Sequence, residues 1–298
     1  MPETTTTTCK ITNSTQPISI RLIPVGDSRL KSESTAPYAN FQSVDASLKH
    51  KLQGKGTRRL LPGLSVKDGY TPHPFDAQFG VKTSGLIAGR HLLSGHPHDR
   101  HSTAYYGVAP SVFHTLVKRW QKTAPAAPLP QTTFVDLGAG MGRALLLAST
   151  LNFKSIIGVE LHPLLTSIAR NNARLWRAAG HQRSILRIVE SDAVDFALPT
   201  GPVVVFLFNP FGATVFRRLL KSWKKLGLQR AGQLDLLYVN NEQDHVLEAF
   251  PAFHRLYAGK VPRSRADAIA DHKIMANQPE AEYASSNWED CSIWRYTG

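Results

Sequence analysis

Three glycines at alternate positions follow a short apolar run in Phe134-Val135-Asp136-Leu137-Gly138-Ala139-Gly140-Met141-Gly142-Arg143. Glycine at this spacing makes a tight turn between a strand and a helix, because it reaches backbone angles that a Cβ forbids and lets a ligand approach the main chain. Turns of this kind hold NAD, FAD or adenosyl groups, and some hold nothing. The next apolar run ends in Glu160, 18 residues after Gly142, where a carboxylate can accept hydrogen bonds from both ribose hydroxyls. A third run ends at Glu190-Ser191-Asp192-Ala193, putting a second acid where an adenine amino group could donate. Asp136, just before the glycines, is poorly placed for a pyrophosphate and well placed for a cationic ligand. A fourth run leads into Asn209-Pro210-Phe211-Gly212.

The elements that position these residues follow from hydrophobic patterning. Phe134 to Leu137, Ile156 to Val159, Ile185 to Val189, Val203 to Phe208 and Leu236 to Val239 are short runs rich in β-branched residues. Helical spacing lies between them, as in Leu164, Ile168, Leu175 and Ala179, with Gly180 as the C-terminal cap. Alternation of strands and helices predicts a parallel sheet with helices on both faces. The unbroken Val203–Phe208 run fits a strand buried on both sides. Upstream, Pro110-Ser111 starts a helix that buries Val112, Phe113, Leu116, Val117 and Trp120. Cys291 to Tyr296 is expected to close the sheet as an antiparallel edge strand, after a polar stretch from Arg263 to Glu282.

Taken in order, D-x-G-x-G-x-G, Glu160, Asp192-Ala193 and Asn209-Pro210-Phe211 resemble the class I S-adenosylmethionine-dependent methyltransferases, over roughly residues 105 to 258. The resemblance implies an α/β, Rossmann-like, doubly wound and mostly parallel sheet of seven strands, here with an N-terminal helical and loop extension. It implies that Asp136, Gly138, Ala139, Gly140 and Gly142 shape the pocket for the methionine part of S-adenosylmethionine, that Glu160 holds the ribose, and that Asp192 with Ala193 meets the adenine. Asn209, Pro210 and Phe211 would stand beside the transferable methyl group and grip a target nitrogen, although the family's pattern has two prolines and this chain one. The segment with Phe75-Asp76, Thr83-Ser84-Gly85 and Tyr105-Tyr106 resembles the leader of small bacterial methyltransferases, which implies a cover over the pocket with Thr83 and Tyr106 in contact with the cofactor. Methyl transfer needs little beyond alignment and exclusion of water, since the sulfonium is an activated donor. Should a base be needed, Asn240, Asn241 and Glu242 are the nearest candidates by topology. The acceptor is open among protein, RNA and small molecules. A nucleic-acid-binding or scaffold protein keeping the adenosyl pocket, and an NAD-dependent oxidoreductase, are the alternatives.

Domain organisation is expected to be a loosely packed tail over 1–68, a leader over 69–130 and the Rossmann-like domain over 131–298. Ser and Thr make up 15 of the first 50 residues, and no period persists there. Two cysteines, Cys9 and Cys291, exclude a disulfide framework, and a cytoplasmic, soluble protein is expected, with no bilayer span. The formal charge of +13 makes a polyanion such as RNA a plausible partner. Arg217, Arg218, Lys221, Lys224 and Lys225 would form one basic helix face, and Arg170, Arg174, Arg177, Arg183 and Arg187 another. His96-Pro97-His98-Asp99-Arg100-His101 is expected to be a polar loop at the pocket mouth, with no metal site, because Arg100 would repel an ion.

Overall fold

The computed structural model describes residues 71–225, 231–277 and 285–298; the tail expected over 1–68 lies outside them. Helix α1 (Pro74–Phe79), the short strands β1 (Leu86–Ile87) and β2 (Tyr105–Tyr106) and helix α2 (Pro110–Gln121) precede the main sheet. There follow β3 (Thr133–Leu137), α3 (Arg143–Ser149), β4 (Ser155–Glu160), α4 (Pro163–Ala178), β5 (Ile185–Glu190), β6 (Val203–Phe208) and α5 (Ala213–Lys225). The chain ends with β7 (Leu234–Val239), α6 (Asp244–Glu248), β8 (Phe253–Pro262), α7 (Arg265–Ala276) and β9 (Trp288–Tyr296).

Seven strands form one sheet in the order β5-β4-β3-β6-β7-β9-β8. The pairs from β5 to β7 are parallel, and β9 runs antiparallel to both its neighbours. This is the Rossmann-like, mostly parallel α/β architecture implied by the resemblance. The chain winds outward from β3 to β5, then returns to lay β6 on the other side of β3. Strand order therefore reverses at β3–β6, and the loops after these strands part there to leave a crevice.

Period-two patterning explains the two cores. Phe134 and Phe206 face one side of the sheet, where they meet Phe113 of α2 and Trp176 of α4 in one buried cluster. Val135, Leu137, Val205 and Leu207 face the other, against Phe216, Leu219 and Trp223 of α5. Phe113 is fully buried, with ring centroids 5.9 Å from Phe134 and 5.5 Å from Phe206. Phe113→Ala is expected to cost about 3–5 kcal/mol through lost burial and the cavity left behind, read as a lower urea midpoint at unchanged slope.

Two expectations need correction. β9 begins at Trp288 and is not the edge; β8 pairs outside it, from Phe253↔Tyr296 to Pro262↔Trp288. The polar stretch from Arg263 holds helix α7, started by the Ser264 hydroxyl accepting from the Asp267 N–H at 3.1 Å. Among the described residues no helix is long and apolar enough to cross a membrane.

Candidate functional site

The ends of β3, β4, β5 and β6 surround a cleft of about 990 Å³, counting the space open to solvent. Its floor is the glycine turn. Gly138, Gly140 and Gly142 have φ of 78°, 55° and 89°, which an L side chain would strain. Two of them are also pressed by this chain itself. A Cβ on Gly138 would lie 2.3 Å from Cβ of Pro210, and one on Gly140 would lie 2.2 Å from the Tyr105 ring. Gly138, Ala139 and Gly140 line the cleft, whereas Gly142 lies behind the turn and leads into α3.

Two carboxylates meet at this floor. Glu160 at the end of β4 accepts from the Gly140 N–H at 2.7 Å and from the His162 N–H at 2.8 Å. Burial pushes its carboxyl above the usual range, and those main-chain donors pull against the rise. Asp136 is 3% exposed, and among the described residues no hydrogen bond or cation meets its carboxylate. Burial, and then the neighbouring Glu160 charge, push it well above the usual carboxylate value. Both line the cleft. Among the described residues the cleft floor thus holds two buried acids, Glu160 met by main-chain donors alone and Asp136 by none, with no cation on either.

Arg143, the first residue of α3, also lines the cleft but does not neutralise these acids. Its guanidinium donates to the Thr83 carbonyl and hydroxyl at 3.1 and 2.8 Å, to the Ser84 hydroxyl at 2.9 Å and to the Gly107 carbonyl at 3.0 Å. Asp76 of α1 completes the knot, accepting from the main-chain N–H groups of Thr83 and Ser84, both at 2.7 Å. The leader is thereby tied to the glycine turn. Thr83, expected at the cofactor, does not line the cleft: its hydroxyl is used between Asp76 and Arg143. Tyr106 does line it, its ring 6.4 Å from that of Phe208. Burial and the nearby Asp271 carboxylate hold the Tyr106 phenol far above its ordinary value.

At the β5 end, Asp192 and Ala193 line the cleft. Asp192 is nonetheless engaged: one carboxylate oxygen accepts from the Val194 N–H at 2.8 Å and the other meets Nδ1 of His98. Nε2 of His98 in turn lies 2.8 Å from the Arg218 guanidinium, so His98 accepts from Arg218 and donates to Asp192. His98 is on the cleft wall, and His96 stands with it near Asp192. Asp99 is folded inward, accepting from Ser94, Gly95 and His96 N–H groups.

The acceptor-side motif differs from expectation. Pro210 and Phe211 line the cleft, but Asn209 does not. Asn209 has φ of 38°, its amide oxygen accepts from the Tyr238 hydroxyl at 3.1 Å, and its carbonyl accepts from the Thr103 hydroxyl. The Pro210 carbonyl is taken by the Thr103 N–H at 3.4 Å, and Ser102 bridges Phe211 in antiparallel fashion. The groups expected to grip a nitrogen are therefore engaged within the chain, the Asn209 amide oxygen by Tyr238 of β7 and the Asn209 and Pro210 carbonyls by Thr103 of the leader. Asn240, Asn241 and Glu242 do not line the cleft. Sequence reasoning also missed Arg143 and His162. A charged residue opening the otherwise apolar Ala144–Ser149 run was the signal for the first.

A scan against protein-family profiles and a search of curated protein sequences both return no match. Solved structures do resemble the chain. TrmN from Thermus thermophilus aligns at 16% identity and TM-score 0.42 over 63% of this chain and 49% of that one, so the chain spans about half of TrmN. The ribosomal protein L11 methylase from Lactobacillus delbrueckii subsp. bulgaricus aligns at 15% identity and TM-score 0.38, over 62% and 77%. TrmK of M. capricolum, in complex with S-adenosyl-homocysteine, aligns at 11% identity and TM-score 0.39, over 62% and 67%. Likeness at this level speaks to no residue of the site.

Proposed function

We infer that this chain is a methyltransferase that takes its methyl group from S-adenosylmethionine. The observation that carries the reading is the buried acid pair, Asp136 and Glu160, set around a glycine turn at the point where strand order reverses. A dinucleotide would bring its pyrophosphate against those charges, with Arg143 already committed to the leader. S-adenosylmethionine instead brings a sulfonium and an ammonium, which two carboxylates favour. When bound, that cofactor supplies an activated methyl group open to in-line displacement. The chain's own part is to hold it, to align an acceptor lone pair and to exclude water. Asp136 would face the amino-acid end and Glu160 the ribose, while Tyr106, Phe208, Pro210 and Phe211 wall the far end where an acceptor would enter.

The charge at the mouth supports an anionic acceptor, with RNA the class it fits best. Arg217, Arg218 and Lys221 are exposed on α5, and Arg100 is exposed on the facing loop. Burial first, and then Arg100, His98 and Arg218, push His101 below its ordinary value, so the Arg100 and Arg218 cations converge on one place. Asp99 and Asp192, the acids among them, are spent on internal partners.

Calorimetric titration with S-adenosylmethionine, S-adenosylhomocysteine and NADH tests the reading. Saturable binding of both adenosyl compounds is expected, weakened roughly tenfold to a hundredfold in Asp136→Ala and in Glu160→Ala through loss of charge-assisted contacts. No adenosyl binding, or a preference for NADH, would overturn it.

A further inference from the structure

His162 follows β4 by two residues and caps α4 without using its side chain to do so. Its main chain is fully occupied: the N–H donates to Glu160 and the carbonyl accepts from the Thr166 N–H at 3.0 Å. The imidazole is 5% exposed and lines the cleft. Neither ring nitrogen has a partner at hydrogen-bond geometry; among the described residues the main chain of Leu93, the only group close enough to act as one, can serve at most one of the two, and the Asp99 carboxylate acts on the ring through its charge. A buried polar group left unpaired is unfavourable, so a ring with at most one nitrogen served points to a partner that arrives from outside.

Position says which end of a ligand this would be. Glu160 pairs across the sheet with Glu190 of β5, and the turn after β5 carries Ser191, Asp192 and Ala193 on the same wall. His162 thus stands at the β4–β5 end, away from Asp136, Phe208 and Pro210. At this end Asp192 is held by His98 and by the Val194 N–H, and both Glu160 oxygens accept main-chain donors. The unpartnered ring among them is His162.

We propose that His162 is a recognition residue for the adenosine end of the ligand, giving one ring N–H and accepting one hydrogen bond at the ribose or base edge. This rests on the adenosyl reading above and adds a contact which that reading does not contain. Burial lowers the His162 imidazole, against the opposing charges of Asp99 and Glu190, so the ring stands neutral, with one donor and one acceptor.

The test pairs ligand affinity with the stability of the ligand-free protein, using S-adenosylhomocysteine and 5′-methylthioadenosine, which lacks the amino-acid end. His162→Phe keeps an aromatic ring and removes both orphaned nitrogens. It is expected to melt at the same or a higher temperature than the wild type, and to bind both compounds at least roughly tenfold more weakly. His162→Gln, which restores one donor and one acceptor, is expected to lie between the two, and it decides the matter alone if the Phe variant does not fold. Wild-type affinity in the variants, or weakening confined to S-adenosylhomocysteine, overturns the proposal. A wild type that binds neither compound overturns the adenosyl reading itself, and the proposal with it.

Discussion

Arg143→Met is expected to lower the melting temperature by roughly 6–20 °C and to abolish measurable adenosyl binding. Arg143 is 2% exposed and donates to four groups of the leader within 3.1 Å. Methionine fills the space of the stem but removes all four donated bonds, leaving the Thr83 carbonyl with the Tyr105 hydroxyl and the Ser84 hydroxyl with the His73 N–H. It also takes the cation away from Asp76, 3% exposed and 3.9 Å from the guanidinium, which is left with its hydrogen bonds from Thr83 and Ser84. Breaking a buried pair by removing one partner costs about 3–5 kcal/mol, against a total of about 5–15 kcal/mol for a domain. Each kcal/mol corresponds to about 2–4 °C in a domain of this size. The loss should be local first, because the leader carries Thr103, Tyr105 and Tyr106 into the cleft wall while the sheet has its own two cores. Limited proteolysis should therefore cut between β1 and β2 before the rest of the chain. Arg143→Lys is expected to recover little, since an ammonium lacks the planar fork that reaches Thr83, Ser84 and Gly107 together. A methionine variant that melts with the wild type and resists protease would show that the knot does not hold the leader.

Legibility tracked burial. Four inner strands, β3, β4, β6 and β7, read directly because residues buried on both faces leave uninterrupted apolar runs, β6, Val203 to Phe208, being the clearest, while β5, at one edge and largely unburied, read from its β-branched residues alone. β8 escaped notice because it is an edge: from Phe253 to Pro262 only Phe253 and Val261 are buried, and Gly259 and Pro262 lie within it. Once β8 takes the edge, β9 has to lie between it and β7, which no local pattern of Cys291–Tyr296 could disclose. α7 was obscure because the side it buries is partly carboxylate, Asp267 and Asp271 beside Ala270 and Ile274.

At the site, the acids at strand ends were legible because position along a strand fixes where its end residue points. Side chains governed by the leader were not. Thr83 and Asn209 have the right types and lie near the right place, yet Asp76 and Arg143 claim the first, and Tyr238 and Thr103 the second. Each partner is at least 7 residues away in sequence, and the Thr103–Asn209 pair is 106 apart, so only the folded chain brings them together. The same holds for His98, which reaches Asp192 across 94 residues.

The acid pair should make both stability and ligand choice depend on pH, in opposite senses. Asp136 and Glu160 have folded values raised above their unfolded ones, chiefly by burial, and Asp271 behaves likewise. For a raised carboxylate the folded state binds more protons, so its stabilising contribution is complete below about pH 4 and is lost as pH rises through the folded value. Asp267 runs the other way: bonds from His73 and Ser111 outweigh its burial and lower it, so its contribution is lost at strongly acid pH. The melting temperature of the ligand-free protein is therefore expected, from these groups, to rise from pH 8 toward about pH 4 and then fall. In Asp136→Asn that rise should be smaller, and the variant should be at least as stable as the wild type at pH 8. Ligand choice follows from the same charge. A sulfonium favours ionised carboxylates and a neutral thioether does not, so affinity for S-adenosylmethionine relative to S-adenosylhomocysteine should climb as pH rises through the Asp136 value. One unit of displacement in a coupled group corresponds to about 1.4 kcal/mol, so each unit by which the sulfonium lowers the Asp136 value should appear as roughly a tenfold rise in the ratio across that titration. Parallel titrations of both compounds at several pH values measure it. A ratio that stays flat in the wild type, or that climbs equally in Asp136→Asn, would mean that the acid pair does not sense the charge of the ligand, and the site's preference for a cation would then have to come from elsewhere in the cleft.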